Sequence, residues 1–299
     1  MEYNQPERII EGTQFVVDIN TFQLQEKSDP NNRILFSDMK ETKEGYEFEY
    51  CRDDKNIPFF FHSDNSVMVQ LPPLVVLDPE GMARKHHLSV EDLKGKTDFD
   101  LLVDPVAFNK RMAWGMLPTI DIAGHTFYVD LRMDMLRPKD DFLSKGIVFS
   151  EVEGYYIEDK EKYIIPYNPK TREFQEPNYN TITTIPKDLI AIEIPNERNL
   201  DPIGWNRKMG LDLKTGLQWI GVKDHHTAGI VPWENTPLRE IIEANLLRKE
   251  NKELKETPLS PKPKVIKENR EGENKQAENK SVQPSDPERE QGRRKGRKM

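Results

Sequence analysis

The chain has 299 residues, a formal net charge of −8 and a single cysteine, Cys51. Its length accommodates two modest domains and a tail. One cysteine excludes an intramolecular disulfide framework and a zinc site built from several thiolates, which fits a reducing compartment. No stretch reaches the roughly 18 apolar residues of a membrane-spanning helix, and the first seven residues lack the features of a secretion signal. We therefore expect a soluble cytoplasmic protein with no membrane partner.

Matching segments divide most of the chain into two similar parts. The segments IEGTQFVVDI (10–19) and IAGHTFYVDL (122–131) share the pattern Ile-x-Gly-x-x-Phe-x-Val-Asp at a spacing of 112 residues. Further matches follow in the same order: 33–37 with 146–150, 44–46 with 153–155, 57–59 with 165–167, and 77–88 with 200–211. Five collinear matches predict an internal duplication.

The first repeat unit is predicted over residues 9–103. Short runs of Val, Ile, Phe and Tyr bounded by Gly or Pro indicate strands. A short helix then opens with Asp78 at the N-cap and Pro79 at the first helical position. Gly81 falls in the first turn of this helix, as Gly204 does in the second unit, although Gly costs about 1 kcal/mol relative to Ala in a helix. The repeated glycine predicts that another backbone segment packs closely there.

A connecting helix is predicted over 104–118, because Asp104 and Pro105 open a segment rich in Val, Ala and Met. The second repeat unit, 119–235, has the same order of elements, and its helix opens at Asp201. The sequence leaves open whether the two units form one body or two.

A C-terminal helix is predicted over 236–256, with Thr236 as N-cap and Pro237 at the first helical position. Residues 257–299 contain twelve Lys and Arg against seven Asp and Glu, with no aromatic residue. Such a segment buries too little apolar surface to offset its chain entropy, so we predict a disordered basic tail. The body, residues 1–256, is acidic, with 32 basic and 45 acidic residues.

The predicted fold class is therefore α+β. It comprises two tandem copies of a strand-rich unit that each end in a short helix, followed by a C-terminal helix and the basic tail.

Two aspartates are candidate binding residues, because Asp18 and Asp130 end the Phe-x-Val-Asp strands of the two units. A carboxylate at that position commonly caps a turn by accepting backbone amides. The alternative is a contact with a ligand or a divalent ion, shared between the two copies.

Each Asp-Pro helix also carries a basic pair, Arg84 with Lys85 and Arg207 with Lys208. We expect these pairs on a solvated helix face near the C-terminal end, where cations favour the helix dipole. Phosphate binding is the alternative, although the acidic body would repel a polyanion.

The six histidines predict packed or surface imidazoles and no metal site. Neighbouring residues diverge by about 100° in a helix and 180° in a strand, so a His-His pair rarely supplies two ligands to one ion. The histidines are His62, His86, His87, His125, His225 and His226.

No phosphate-loop, dinucleotide-binding or nucleophile-elbow pattern occurs, which excludes the familiar enzymes that use them. We predict no cofactor and assign no catalytic residue.

Two segments of the second unit carry a resemblance: LPTIDIAGHTFYVDLR (117–132) and IPNERNLDPIGWNRKMGL (194–211). The chain resembles an uncharacterised family of bacterial proteins. Members of that family combine Leu-Pro-x-Ile-Asp-x-Ala-Gly-x-x-Phe-x-Val-Asp with a later Ile-Pro-Asn-Glu-x-x-Leu-Asp-Pro. The resemblance covers 117–235 and implies no activity. The ending Gly-Arg-Lys-Met is similar to tails on proteins of bacterial conjugative elements, which implies a mobile-element setting.

Two functional hypotheses follow. The first is a non-catalytic interaction or accessory protein, whose acidic duplicated body binds a protein partner and whose tail adds weak, non-specific affinity for nucleic acid. The tail residues proposed for that contact are Arg293, Arg294, Lys295, Arg297 and Lys298. The second is a divalent-ion-dependent enzyme or nucleic-acid-processing factor that uses Asp18 and Asp130.

The tail hypothesis predicts that deleting residues 291–299 abolishes most binding to duplex DNA at low salt. The last eight residues hold five positive charges and no negative one. Phosphate contacts release counterions, so the affinity of the full chain falls steeply between low and physiological salt. Gel-shift titrations at several salt concentrations measure this, with the melting temperature as a folding control that should not change. Full, salt-resistant affinity in the truncated protein would move the site to the two basic pairs of the body.

Overall fold

The computed structural model describes residues 3–59 and 65–256, with side chains to residue 251. Residues Met1–Lys252 form one compact unit, so both predicted repeat units belong to one body. A second unit, Glu253–Met299, is described only at the end of the C-terminal helix. The predicted tail, 257–299, and His62 lie outside the described residues.

The first half contains an antiparallel four-stranded sheet, a three-stranded sheet and several short helices. The strands of the first sheet, in spatial order, are β1 (Glu7–Ile10), β2 (Thr13–Asp18), β3 (Gln23–Glu26) and β4 (Arg33–Leu35). Those of the second sheet are β5 (Lys40–Thr42), β6 (Gly45–Cys51) and β7 (Ser66–Leu71). The helices are α1 (Leu74–Leu77), α2 (Pro79–Lys85), α3 (Asp98–Leu102) and α4 (Pro105–Met112).

The second half also begins with an antiparallel meander and continues into a second sheet. The elements as far as β15 are β8 (Thr119–Ile122), β9 (His125–Asp130), β10 (Met135–Pro138), β11 (Ile147–Val148), α5 (Phe149–Val152), β12 (Tyr156–Ile157), β13 (Lys162–Asn168), β14 (Glu173–Phe174) and β15 (Ile190–Pro195). The remaining elements are α6 (Glu197–Leu200), α7 (Pro202–Met209), α8 (Leu217–Ile220), β16 (His225–Thr227), β17 (Gly229–Val231) and α9 (Leu238–Glu256). This mixture of sheets and helices confirms the α+β class.

The meanders of the two halves pair in the same register. Val17 of β2 lies opposite Leu24 of β3, and Val129 of β9 lies opposite Leu136 of β10. All four side chains are completely buried. A slip of one residue would turn a whole strand to its other face, so this shared register places the same apolar positions in both cores.

One predicted match between the halves joins two residues that lie in different kinds of secondary structure. Tyr46 lies in β6, whereas Tyr155, its predicted counterpart, ends a 3-10 turn. The residue in the corresponding strand is Tyr163 of β13. Tyr46 donates a hydrogen bond to the Asp98 carboxylate and Tyr163 donates one to the Glu197 carboxylate, each at 2.6 Å.

A second match fails in the same way. Ile57 and Pro58 lie outside the named strands, whereas Ile165 and Pro166 lie inside β13. Short Ile-Pro patterns recur in unrelated backbone contexts because two residues carry little information about the contacts across a sheet.

The predicted helix boundaries need three corrections. The connecting helix ends at Met112 rather than 118, and Gly115 then adopts a φ of 65° in the left-handed region. Neither copy ends in a single short helix: α1 directly precedes α2, α6 directly precedes α7, and the second half continues through α8, β16 and β17. The C-terminal helix begins at Leu238, whose amide donates to Thr236 Oγ1 at 3.3 Å.

A tryptophan from the second half completes the core of the first. Trp219 of α8 packs against Phe22 and Tyr46, with ring centroids 5.5 and 5.9 Å apart. Buried aromatic pairs of this kind contribute about 0.5–1.5 kcal/mol beyond the apolar area they bury. The halves are therefore joined through shared hydrophobic packing.

Both Asp-Pro helices begin as the sequence predicts. Asp78 Oδ1 accepts the Gly81 amide at 2.9 Å, and Asp201 Oδ1 accepts the Gly204 amide at 2.9 Å. The expectation that a backbone segment packs against the two glycines is wrong. A Cβ at either position would overlap the carboxylate of its own capping aspartate.

We predict that Gly81→Ala and Gly204→Ala each destabilise the protein by about 1–3 kcal/mol, as expected for overpacking of a filled site. The sign of the change in unfolding free energy separates overpacking from helix propensity, because Ala normally stabilises a helical position by up to about 1 kcal/mol relative to Gly. Urea unfolding measures the change. Gly154→Ala is the control, since a Cβ there meets nothing within 4 Å. A stabilising effect at Gly81 or Gly204 would contradict the close approach of the carboxylate.

Candidate functional site

The two candidate aspartates end strands of two different sheets. Asp18 accepts hydrogen bonds from the Asn20 amide at 2.9 Å and from Thr21 Oγ1 at 2.7 Å. Asp130 is only 5% exposed, and its Oδ1 accepts the Met133 amide at 3.2 Å. Each carboxylate therefore accepts a backbone amide in the turn after its strand.

In the basic pair of the first half, Arg84 is exposed, whereas Lys85 is half-buried and contacts the protein, contrary to the expected solvated face. Lys85 Nζ donates to the carbonyl oxygens of Ile19 and Asn20, each at 3.1 Å, and lies 4.1 Å from the centroid of Phe22. Burial lowers the pKa of the Lys85 amine. The Arg84 guanidinium lies 4.8 Å from the centre of the Tyr3 ring.

Tyr3 fills the space beside the first Asp-Pro helix. Its hydroxyl donates to the Asp78 carboxylate, and burial, reinforced by Asp78, raises the pKa of the phenol. The cavity left there measures only about 180 Å³. Its lining comprises Tyr3, Ile19, Asn20, Gly81, Arg84 and Lys85. The N-terminal segment therefore occupies this place in the first half.

Arg111 of α4 binds the corresponding aspartate in the second half. Its Nε lies 3.0 Å from both carboxylate oxygens of Asp201, and its Nη2 lies 2.8 Å from Oδ2. The side chains of Arg111 and Asp201 are 10% and 1% exposed. Charge-assisted guanidinium–carboxylate pairs are strong and geometrically specific, so this contact fixes α4 against α7.

A larger cavity, about 980 Å³, lies beside the second Asp-Pro helix. Gly115 occupies the chain position 112 residues after Tyr3 and contributes no side chain to fill it. The cavity is lined by Arg111, Gly115, Leu117, Asp130, Leu131, Arg132, Asp134, Ser150, Gly204, Arg207 and Lys208. In the second half the Arg111 guanidinium contacts the aspartate in place of a phenol, and the larger cavity is the space beside it.

Two arginines of this cavity have no acidic partner. Lys208 Nζ pairs with Asp134 Oδ1 at 3.1 Å. Burial alone would raise the pKa of Asp134, but hydrogen bonds from Ser150 and Lys208 outweigh it and lower the pKa. Within residues 3–59 and 65–251, neither Arg132 nor Arg207 forms an ion pair, and both are exposed. Their guanidinium groups remain available to an anion.

Exposed apolar side chains flank the cavity residues in sequence. Trp114 and Met116 lie on either side of Gly115, and Met133 lies between Arg132 and Asp134. Trp114 is 67% exposed, and both methionines are more than half exposed. Exposed apolar residues therefore adjoin the lining residues of this cavity in the sequence.

The structure thus brings three of the six candidate residues of the body, Asp130, Arg207 and Lys208, to one cavity. Sequence reasoning missed Arg111, Arg132 and Gly115. Extending the 112-residue alignment back to Tyr3 would have pointed to Gly115, but nothing in the sequence pairs Arg111 with Asp201.

The adjacent histidines of β16 contact different groups. His225 Nδ1 lies 2.9 Å from Thr119 Oγ1, and His226 Nε2 lies 3.0 Å from the Leu200 carbonyl oxygen. Across the described ranges 3–59 and 65–256, no group of three or more His, Cys, Asp or Glu is placed to hold a metal ion. No helix in that part of the chain is long and apolar enough to cross a membrane.

Comparisons of the chain with protein-family models, with curated proteins and with solved structures find no match.

We predict that His226 makes the fold sensitive to acid. Burial lowers the pKa of its imidazole below the ordinary value of 6.5, although the Leu200 carbonyl acts in the opposite direction. Below pH 6.5 the unfolded chain therefore binds the proton more readily, and stability falls as the pH falls, by at most about 1.4 kcal/mol per pH unit. Urea unfolding from neutral pH downward measures this slope.

His226→Gln should reduce the slope, since an uncharged side chain replaces the imidazole. His225→Gln is the matched control, because its side chain is 48% exposed. Equal changes of slope in the two variants would contradict the role of His226.

Proposed function

We propose that this protein is a non-catalytic interaction protein whose second half binds an acidic segment of a protein partner. The observation that carries the proposal is the pair of exposed guanidinium groups, Arg132 and Arg207, at a cavity whose counterpart in the first half is filled by Tyr3. A guanidinium presents a planar set of donors that matches a carboxylate, and Arg is enriched at protein interfaces.

The surroundings favour a peptide that carries both charge and an apolar group. Trp114, Met116 and Met133 are exposed and neighbour the lining residues Gly115, Leu117 and Arg132 in sequence. Aromatic and Met side chains are enriched at interfaces, where they supply most of the buried apolar area. An acidic segment with one large apolar residue satisfies both parts of this surface.

We propose further that the two halves are diverged copies of one unit. The shared register of the meanders, the two Asp-Pro helices and the two capping aspartates support this origin. In this account the first copy keeps its own N-terminal tyrosine as a permanent occupant, whereas the second copy has become a binding site.

The wider setting is also part of the proposal. The resemblance to a bacterial family and to conjugative-element tails supports a cytoplasmic protein of a mobile element. The tail, 257–299, would add weak affinity for nucleic acid through phosphate contacts.

The proposal predicts that a capped peptide Glu-Glu-Leu-Glu-Glu binds the protein and that its Gln-Gln-Leu-Gln-Gln counterpart does not. The double substitution Arg132→Gln and Arg207→Gln should weaken binding about tenfold or more, because hydrogen bonds to charged groups contribute about 1.5–3 kcal/mol. Arg84→Gln, at the corresponding position of the first half, should change the affinity little. Isothermal titration calorimetry measures the peptide affinity of the unsubstituted protein, the double variant and the Arg84 variant. Added salt should weaken the interaction.

Equal binding of the two peptides, or equal effects of the Arg84 variant and the double variant, would contradict the proposal. A melting temperature that rises with Mg²⁺ or Mn²⁺ and no longer rises in Asp130→Asn would instead favour the divalent-ion-dependent enzyme, because a ligand of the folded state raises stability.

A further inference from the structure

A separate cavity of about 520 Å³ lies between the second sheet of the second half and the start of α9. The apolar part of its lining includes Ile164 and Ile165 of β13, Ala191 of β15, and Leu238 and Ile241 of α9. Its volume and apolar lining are typical of sites that bind small molecules. It shares no lining residue with the cavity at Arg132 and Arg207, so it is independent of the proposed function.

Aromatic side chains form much of the remaining wall. Tyr155, Tyr156, Tyr179 and Trp233 all line the cavity. The face of an aromatic ring carries negative electrostatic potential and attracts a cation, most strongly when water is excluded. The wall is therefore suited to a ligand that is both apolar and positively charged.

A carboxylate stands at the same cavity. Tyr155 donates its hydroxyl proton to Glu176 Oε1 at 2.8 Å. Because Tyr155 has only one proton to donate, the 3.0 Å contact between the two phenol oxygens requires Tyr179 to donate to Tyr155. This chain of two phenols orients the Glu176 carboxylate.

Glu176 is exposed and has no ion-pair partner among the described residues. Its hydrogen-bond donor is a neutral phenol, and burial raises the pKa of Tyr155 above its ordinary value. No Lys, Arg or His within residues 3–59 and 65–251 forms an ion pair with Glu176. A carboxylate without a counter-ion, beside aromatic faces, attracts an ammonium group.

We propose that this cavity binds small hydrophobic ammonium compounds, with the ammonium group at Glu176 and the apolar body against the aromatic wall. A carboxylate ligand of the same size would meet Glu176 as a like charge.

Three probes of similar size test this assignment: 2-phenylethylamine, the neutral 2-phenylethanol and the anionic 3-phenylpropanoate. Isothermal titration calorimetry with the full chain at neutral pH should show that the amine binds about tenfold more tightly than the alcohol, since a hydrogen bond to a charged group exceeds a neutral one. The carboxylate should bind least.

The matched variants are Glu176→Gln and Glu234→Gln. The first keeps an oxygen acceptor for Tyr155 and removes the charge, so it should abolish the preference for the amine over the alcohol. The second removes the charge of another exposed glutamate, which does not line the cavity, and it should leave both affinities within about twofold. Equal effects of the two substitutions would overturn the assignment of Glu176.

Two further variants place a larger side chain in the cavity. Ile241→Trp on α9 and Ala191→Phe on β15 should each abolish binding of the amine, and melting curves identify the variant that folds. The proposal is overturned if the amine does not bind the unsubstituted protein, if the alcohol binds as tightly as the amine, or if a folded variant with a filled cavity binds the amine unchanged.

Discussion

One carboxylate at the start of a helix fixes each half of this protein. The aspartate of each Asp-Pro step accepts the amide of the glycine three residues later and also accepts a side-chain donor from a distant segment. Tyr3 is that donor for Asp78, and Arg111 is that donor for Asp201, across 75 and 90 residues of sequence. The glycine is required because a Cβ would occupy the space of the carboxylate. The helix start, the glycine and the long-range tether are consequences of one constraint.

The two donors differ in charge, and this difference shapes each site. The Tyr3 phenol brings no charge to the Asp78 carboxylate. The positive charge nearby is the Arg84 guanidinium, which lies 4.8 Å from the centre of the Tyr3 ring. Arg111 neutralises Asp201 directly, and loss of one partner from such a buried pair typically costs about 3–5 kcal/mol because the other charge stays behind unpaired. Because Arg111 pairs with that aspartate, Arg132 and Arg207 do not, and neither forms an ion pair elsewhere in the described residues. They can serve a ligand, while stability depends on Arg111.

The sequence predicted local features better than contacts between distant residues. The Asp-Pro helices and the Phe-x-Val-Asp strands were predictable because capping and alternation act over a few residues. The role of Gly81 was not predictable, because the group that approaches it is the Asp78 carboxylate, and the sequence does not show the conformation of that side chain. The placement of Lys85 was wrong because helical spacing gives the face of a helix and does not show which loop lies opposite. The cavity at Gly115 and the aromatic wall near Glu176 depend on packing between segments far apart in the chain, which composition and spacing do not encode.

The packing of Trp219 against Phe22 and Tyr46 links the order of synthesis to the completeness of the core. A ribosome adds about 5–20 residues per second, so the first half emerges several seconds before residue 219 exists. During that interval the aromatic rings of Phe22 and Tyr46 lack their partner and face water or other chains. The nascent first half therefore exposes aromatic surface that is covered only once α8 has been synthesised.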